Sequence, residues 1–139
     1  MKLMGIDYGR RRIGIAVSDE TGRCIRGLTT VDRKKHPDFL NSLNNLIKQE
    51  NPQELVIGLP LDVNDAETVM SKEVRVFADQ LNRICGKPIH FVDESLSSKR
   101  ASELLRFRKK KARKDKAAVD RLAACIILEI YREEKECRI

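Results

Sequence analysis

Polar and apolar positions change period along the chain. Leu3–Asp7 is a short apolar run closed by a carboxylate, and Ile13, Ile15 and Val17 then alternate with Gly14, Ala16 and Ser18. A period of two marks a strand with two different faces. Tyr8-Gly9-Arg10-Arg11-Arg12 between the runs is a tight connection, so the two strands form a hairpin. Asp19-Glu20-Thr21-Gly22 is a second turn and Cys24–Val31 a third strand, so the chain opens on an antiparallel meander. From Pro37, which suits a helix first turn, the spacing lengthens: Phe39, Leu40, Leu43, Leu46 and Ile47 recur with a helical period. Glu54–Leu59 is a continuous apolar strand of the kind buried on both faces. Met70, Val74, Phe77, Ala78, Leu81 and Ile84 mark a second helix that stops at Gly86, and Pro88–Val92 is a further short strand. A helix from about Ser97 to Arg108 and a polar basic stretch follow. The last helix carries Val119, Leu122, Ala123, Ile126, Ile127 and Ile130 as one apolar stripe, with Arg132–Ile139 expected to fray beyond it.

Three antiparallel strands followed by alternating helices and parallel strands predict an α/β fold, a mixed five-stranded sheet flanked by helices. At 139 residues, 41% of them apolar and 35% charged, the chain reads as one globular domain spanning residues 1–139. No apolar run approaches the ~18 residues needed to cross a bilayer. The opening Met1–Asp7 leads straight into a strand, which leaves no room for a signal peptide and points to the cytoplasm. Cys24, Cys85, Cys125 and Cys137 are scattered, with neither a CxxC pair nor a histidine at zinc spacing, and read as reduced thiols. His36 stands before Pro37 at a helix start, and His90 lies inside a strand, where a packed or edge role is expected.

Charge changes the picture more than composition does. The net charge is +7. Between Lys99 and Lys116 stand ten basic residues, Lys99, Arg100, Arg106, Arg108, Lys109, Lys110, Lys111, Arg113, Lys114 and Lys116, against Glu103 and Asp115. This one segment carries +8 and the rest of the chain −1. Basicity confined to one segment is the footprint of a polyanionic partner, here nucleic acid, with Arg10, Arg11 and Arg12 as a second basic cluster. A solvated helix face or an acidic protein partner is the bland alternative.

Polar residues at the ends of apolar strands mark the candidate chemistry. Asp7 follows Leu3–Ile6, and Asp93 and Glu94 follow Ile89–Val92. The carboxyl ends of parallel strands line the functional crevice of an open α/β sheet. Asp120 borders the apolar stripe of the last helix one turn before Ala123 and Ala124, small residues that let a helix approach a sheet. Asp7, the Asp93-Glu94 pair and Asp120 together offer an oxygen-only site, suited to Mg²⁺ or Mn²⁺ rather than zinc. Such a site can activate a water and stabilise a leaving phosphodiester oxygen. Singly each acid has a structural alternative: Asp7 capping a turn, Asp93 or Glu94 capping the following helix, Asp120 pairing with Lys116.

Gly5-Ile6-Asp7-Tyr8-Gly9, Ile13-Gly14-Ile15-Ala16-Val17-Ser18-Asp19, Val56-Ile57-Gly58-Leu59-Pro60, Val92-Asp93-Glu94-Ser95-Leu96-Ser97-Ser98 and Val119-Asp120-Arg121-Leu122-Ala123-Ala124 resemble, in order, the YqgF (RuvX) family. The resemblance spans nearly the whole chain. It implies an RNase H-like fold and a nuclease, described both as Holliday junction resolvase-like and as processing the 5′ end of pre-16S rRNA, with its carboxylates at Asp7, Glu94 and Asp120. The chain departs from the family in two places. Ser95-Leu96-Ser97 stands where the family has Arg-Leu-Thr, and Asp62-Val63-Asn64-Asp65-Ala66 stands where it has Asn-x-Asp-Gly-Ser/Thr. Two other readings compete. Asp7-Tyr8-Gly9 and Gly14 also fit a phosphate-binding ATPase or sugar kinase, but such enzymes bind nucleotide between two domains of this kind. A non-catalytic nucleic-acid binder would use the basic segment equally well, but gains nothing from clustered carboxylates beside phosphates. Substrate sugar and oligomeric state, monomer or homodimer, are not written in these patterns.

Overall fold

The computed structural model describes residues 1–62, 64–94, 106 and 116–137. Five strands, β1 (Leu3–Asp7), β2 (Arg12–Ser18), β3 (Ile25–Asp32), β4 (Glu54–Leu59) and β5 (Ile89–Asp93), form one sheet in the order β3-β2-β1-β4-β5. β1 pairs antiparallel with β2, and β2 with β3, whereas β4 joins β1 and β5 joins β4 in parallel. The meander is closed by tight turns; the parallel strands are reached through helices α1 (Phe39–Glu50) and α2 (Val69–Cys85). This is the expected mixed sheet, with boundaries displaced by a residue or two.

Local chemistry sets the helix ends. Thr68 caps α2: its hydroxyl accepts the Ser71 amide at 2.9 Å while the Ser71 hydroxyl accepts the Thr68 amide at 2.7 Å. Gly86 closes the same helix at φ +70°, a left-handed residue that glycine adopts without strain. The helix expected near Ser97–Arg108 lies outside the described residues except for Arg106, which is exposed and helical.

Alternation divides the sheet into two faces. Met4, Ile6, Ile13, Ile15, Leu55 and Ile57 pack under α1 and α2 with Leu43, Ile47, Val74, Phe77 and Leu81. Leu3, Ala16, Val56 and Val92 face the other way, onto α3 (Lys116–Cys137) through Ala124, Ile127, Leu128 and Tyr131. Burying both faces makes β1 and β4 almost wholly apolar, so a carboxylate at either strand end stands out. Helix α3 continues through Arg132 to Cys137, which corrects the expectation of fraying from Arg132. The Arg132 guanidinium donates to the Arg23 carbonyl at 2.8 Å, and the Lys135 ammonium lies 5.3 Å from the Tyr131 ring centre. Among the described residues no helix is long and apolar enough to cross a membrane. Cys24, Cys85 and Cys125 are free thiols.

Candidate active site

Asp7 is the last residue of β1 and lies opposite Gly14 on β2; on its other side, one step past the Ile6–Ile57 pair, stands Gly58 of β4. Leu3 and Gly5 face α3, so alternation puts Asp7 on the α3 face too. The absent side chains of its two glycine neighbours make the site. A Cβ on Gly14 would lie 2.0 Å from the backbone oxygen of Asp120, so α3 rests directly on that strand. One turn later the helix meets Gly5, where a Cβ would be 2.7 Å from the Ala124 oxygen. The fully buried Ala123 and Ala124 complete the close approach. On the other side a Cβ on Gly58 would lie 2.5 Å from the Glu94 carboxyl carbon and 2.6 Å from its Oε2. Glu94 is led there because its amide donates to the Leu59 carbonyl at 3.0 Å, continuing the β4–β5 ladder. Its Oε1 is shut off from solvent.

The three carboxylates expected from sequence thus arrive at one end of one sheet face: Asp7 central, Asp120 over Gly14, Glu94 over Gly58. They do not close on a common point. Asp120 Oδ2 accepts the Nε proton of Arg12 at 2.7 Å, a charge-assisted bond between a carboxylate and a guanidinium that are 17% and 28% exposed. Among the described residues no group of three or more His, Cys, Asp or Glu side chains is drawn tightly enough to hold a metal ion. The donor set itself is all oxygen, as hard divalent cations require, and the glycines flanking Asp7 let Asp120 and Glu94 come in where a Cβ would stand. These residues fit Mg²⁺ or Mn²⁺ in chemistry, with Asp120 engaged by an internal cation.

Adjacent Asp93 and Glu94 serve different faces. Glu94 turns to the α3 side, whereas the hydrogen bond and negative charge of Asp93 raise the pKa of Asp65 in the β4–α2 loop. Asp65, standing where the related pattern has glycine, keeps a left-handed φ of +60°, which aspartate tolerates better than most residues. Asp62 Oδ1 holds the loop by accepting the amides of Asn64 and Ala66, each at 2.8 Å.

Each arginine of the β1–β2 turn has an acidic partner on a different element. Arg10 pairs with Glu73 of α2 at 2.9 Å, Arg11 with Asp32 of β3 at 3.2 Å, and Arg12 with Asp120 of α3. Glu73 also accepts the Tyr8 hydroxyl at 2.9 Å, and Arg10 followed by Tyr8 holds its pKa below the ordinary glutamate range. Arg33 donates to the Tyr8 hydroxyl at 3.0 Å and covers the Phe39 ring at 4.2 Å. Of the remaining candidate nucleic-acid contacts, Arg106 is exposed, and Lys99, Arg100, Lys109, Lys110, Lys111, Arg113 and Lys114 lie outside the described residues. His90 sits on edge strand β5 with Nε2 2.7 Å from Glu54 Oε2 and its ring stacked on Tyr131 at 5.4 Å, the packed edge role expected of it.

Sequence reasoning missed the partnership of Arg12 with Asp120 and the part played by Gly14 and Gly58. A glycine in a buried strand is a signal of close approach, but which helix approaches follows only from the strand order.

A mixed sheet of this order, covered by helices and carrying acids at the ends of β1 and β5 and near the start of α3, defines an RNase H-like domain. Thermus thermophilus RuvC in complex with a Holliday junction superposes with a TM-score of 0.61 at 15% identity, over 97% of this chain and 96% of the other. The fowlpox virus Holliday junction resolvase gives 0.55 at 14%, over 97% and 99%. At such identities the likeness is one of fold. Residues 1–134 match the RuvX family, described as Holliday junction resolvase, and the chain belongs to that family. Relatives named "Putative pre-16S rRNA nuclease" include those of Crocosphaera subtropica, 38% identical over 98% of this chain and 95% of the relative, and Koribacter versatilis, 37% identical over 96% and 88%.

Proposed function

We propose that this protein is a divalent-metal-dependent nuclease that hydrolyses phosphodiester bonds in structured nucleic acid, acting in the cytoplasm on the 5′ end of pre-16S rRNA. The convergence of Asp7, Glu94 and Asp120 from three elements onto one glycine-lined end of the sheet carries this reading. The names of the relatives supply the substrate.

Asp7, Glu94 and Asp120 are the residues that would hold Mg²⁺ or Mn²⁺, which when bound supplies charge for the phosphate oxygens and acidifies a water. Asp7 is fixed by the β1–β2 and β1–β4 pairings, Glu94 by its amide on Leu59, and Asp120 by the seating of α3 on Gly14. The backbone beneath each carboxylate is therefore already in place, which is how positioned groups lower a barrier, and the side chains have only to close on the ion. The basic residues between Lys99 and Lys116 supply backbone attraction, which is blind to base sequence.

The family description favours a second substrate, a four-way DNA junction. A single assay separates them: the full chain with Mg²⁺ or Mn²⁺ against pre-16S-type RNA and junction DNA of matched concentration. Selective cleavage of the RNA at the 5′ side is expected, and selective cleavage of the junction establishes the second reading. Binding without cleavage of either would reduce the protein to a nucleic-acid binder.

A further inference from the structure

Among the described residues Arg12 pairs directly with a site carboxylate, Asp120. Along β2, Arg12, Gly14 and Ala16 point to the α3 face by alternation. Gly14 faces Asp7 across the hairpin and also seats Asp120. Arg12 thus lies one step beyond the Asp7–Gly14 pair on the same face, and from there it reaches Asp120 Oδ2 at 2.7 Å. The pair joins positions 108 residues apart and is largely screened from water, so it is set by the packing of α3 rather than by a chance surface encounter.

We propose that Arg12 is a built-in counter-cation for Asp120, which occupies that carboxylate in the free protein and must release it before a divalent ion can be held by Asp7, Glu94 and Asp120 together. The inference rests on the metal-site reading above. Electrostatics gives its direction. Three carboxylates at one end of a face repel one another, and a guanidinium on Asp120 relieves that repulsion. An entering divalent cation has to displace a partner of its own sign and then remain close to it, so Arg12 weakens metal binding to the free protein. A nucleic-acid phosphate offers the guanidinium a new anion of matching bidentate geometry. Substrate and metal then enter together, and an ion is not retained when there is nothing to cut. Arg12 is in this sense a positioning residue acting through Asp120.

The test is direct Mn²⁺ binding, followed by the loss of the free-ion signal in electron paramagnetic resonance on the full chain without nucleic acid. Arg12→Gln should bind Mn²⁺ roughly tenfold more tightly than wild type, the scale of one unit charge removed a few ångströms from the ion. Arg12→Lys, which retains the charge, should stay near wild type. The double variant Arg12→Gln with Asp120→Asn should lose the gain, since the effect passes through Asp120. Melting curves give a second readout: Arg12→Gln should melt below wild type in EDTA and gain more from added Mn²⁺.

Unchanged or weaker Mn²⁺ binding in Arg12→Gln, or an equal gain in the double variant, overturns the proposal. Absence of Mn²⁺ binding in every variant overturns it too. Cleavage by the wild type, measured separately, keeps the two readings apart. A protein that cleaves while Arg12→Gln binds no tighter retains the nuclease reading and loses this one. One that binds tighter after Arg12→Gln but never cleaves does the reverse.

Discussion

The missing Cβ of Gly14 would lie 2.0 Å from the backbone oxygen of Asp120. That contact joins the β1–β2 hairpin to α3, and it delivers a carboxylate from the end of the chain to one at its beginning. Because the obstacle is backbone, no rotamer change relieves it. Gly14→Ala should force α3 away from the sheet and cost about 3 kcal/mol, the upper part of the overpacking range. Gly58→Ala meets the Glu94 carboxylate and the Ile127 Cδ1, which can shift, so its stability cost should be smaller, about 1 to 2 kcal/mol. Its activity should nonetheless fall steeply, because Glu94 is what moves. Urea unfolding of both variants beside a cleavage assay checks the ordering. Equal stability costs would mean that helix and sheet are less rigidly apposed than the distances say.

The site carboxylates should respond differently to neutral isosteres. Asp7→Asn, Glu94→Gln and Asp120→Asn each remove an anionic ligand of the proposed metal site, so cleavage should drop by orders of magnitude in all three. In EDTA, Asp120→Asn should lose about 1 kcal/mol, because it turns a charge-assisted bond from Arg12 into an ordinary one. Asp7→Asn keeps its shape at the end of β1 and should melt within a few degrees of wild type. Near wild-type cleavage by all three variants would remove the metal-site reading.

Much of this was legible in the sequence, for physical reasons that also mark its limits. The strands could be read because burying both faces of β1 and β4 demands apolar runs, and the meander because one period-two stretch follows another. Asp7 and Glu94 stood out as charges where such runs end. Asp120 was legible through the small residues beside it, Ala123 and Ala124. Its partner was not. Lys116, four residues earlier on the same helix, was the local candidate, whereas the structure uses Arg12, which only the strand order brings within reach. Likewise Gly14 and Gly58 flank Asp7 only because β1 lies between β2 and β4. Sequence reasoning sees neighbours at helical or strand spacing and cannot see those created by topology.

The β2–β3 turn carries a pH signature separate from the site. Asp19 Oδ1 accepts the Thr21 hydroxyl at 2.7 Å, the Thr21 amide at 3.1 Å and the Cys24 amide at 3.3 Å. These bonds favour the ionised form, the Thr21 side chain foremost, and lower its pKa to about 2. An unfolded aspartate titrates near 3.9. The folded value is the lower one, so the contribution of Asp19 is fully present above pH ~4 and is lost as the pH falls toward about 2. Asp19→Ala should therefore destabilise the protein at pH 7, with a penalty that shrinks between pH ~4 and pH ~2. Thermal melts of the pair at pH 7, 4 and 3 measure this, and a penalty independent of pH would show that the turn does not depend on the ionised carboxylate.

Nucleic acid should be attracted to the segment from Lys99 to Lys116 rather than to the β1–β2 turn. Two basic clusters were candidates, and the one at Arg10, Arg11 and Arg12 lies among the described residues, whereas Lys109, Lys110 and Lys111 do not. Arg10, Arg11 and Arg12 are each matched by Glu73, Asp32 and Asp120, so their positive charge is largely compensated within the fold. The segment from Lys99 to Lys116 holds ten basic residues against two acidic ones, an excess its own sequence cannot neutralise. Phosphates can, with counterion release as the driving force. Each phosphate contact contributes about −0.9 to the slope of log K against log salt on duplex DNA and about −0.7 on single strands. Replacing Lys109, Lys110 and Lys111 by Ala should therefore weaken binding to RNA and DNA alike and flatten the slope by up to roughly 2 to 3 units. Replacing Arg10 and Arg11 by Ala should change the slope by less than one unit, because neither enters the interface as a free charge. The same double substitution should lower the melting temperature, since it breaks the Glu73 and Asp32 contacts that hold the hairpin against α2 and β3. Fluorescence anisotropy titrations across a salt series give both slopes. If the arginine variant flattens the slope and the lysine variant does not, the nucleic acid enters over the β1–β2 turn, and the ion pairs seen there open when it binds.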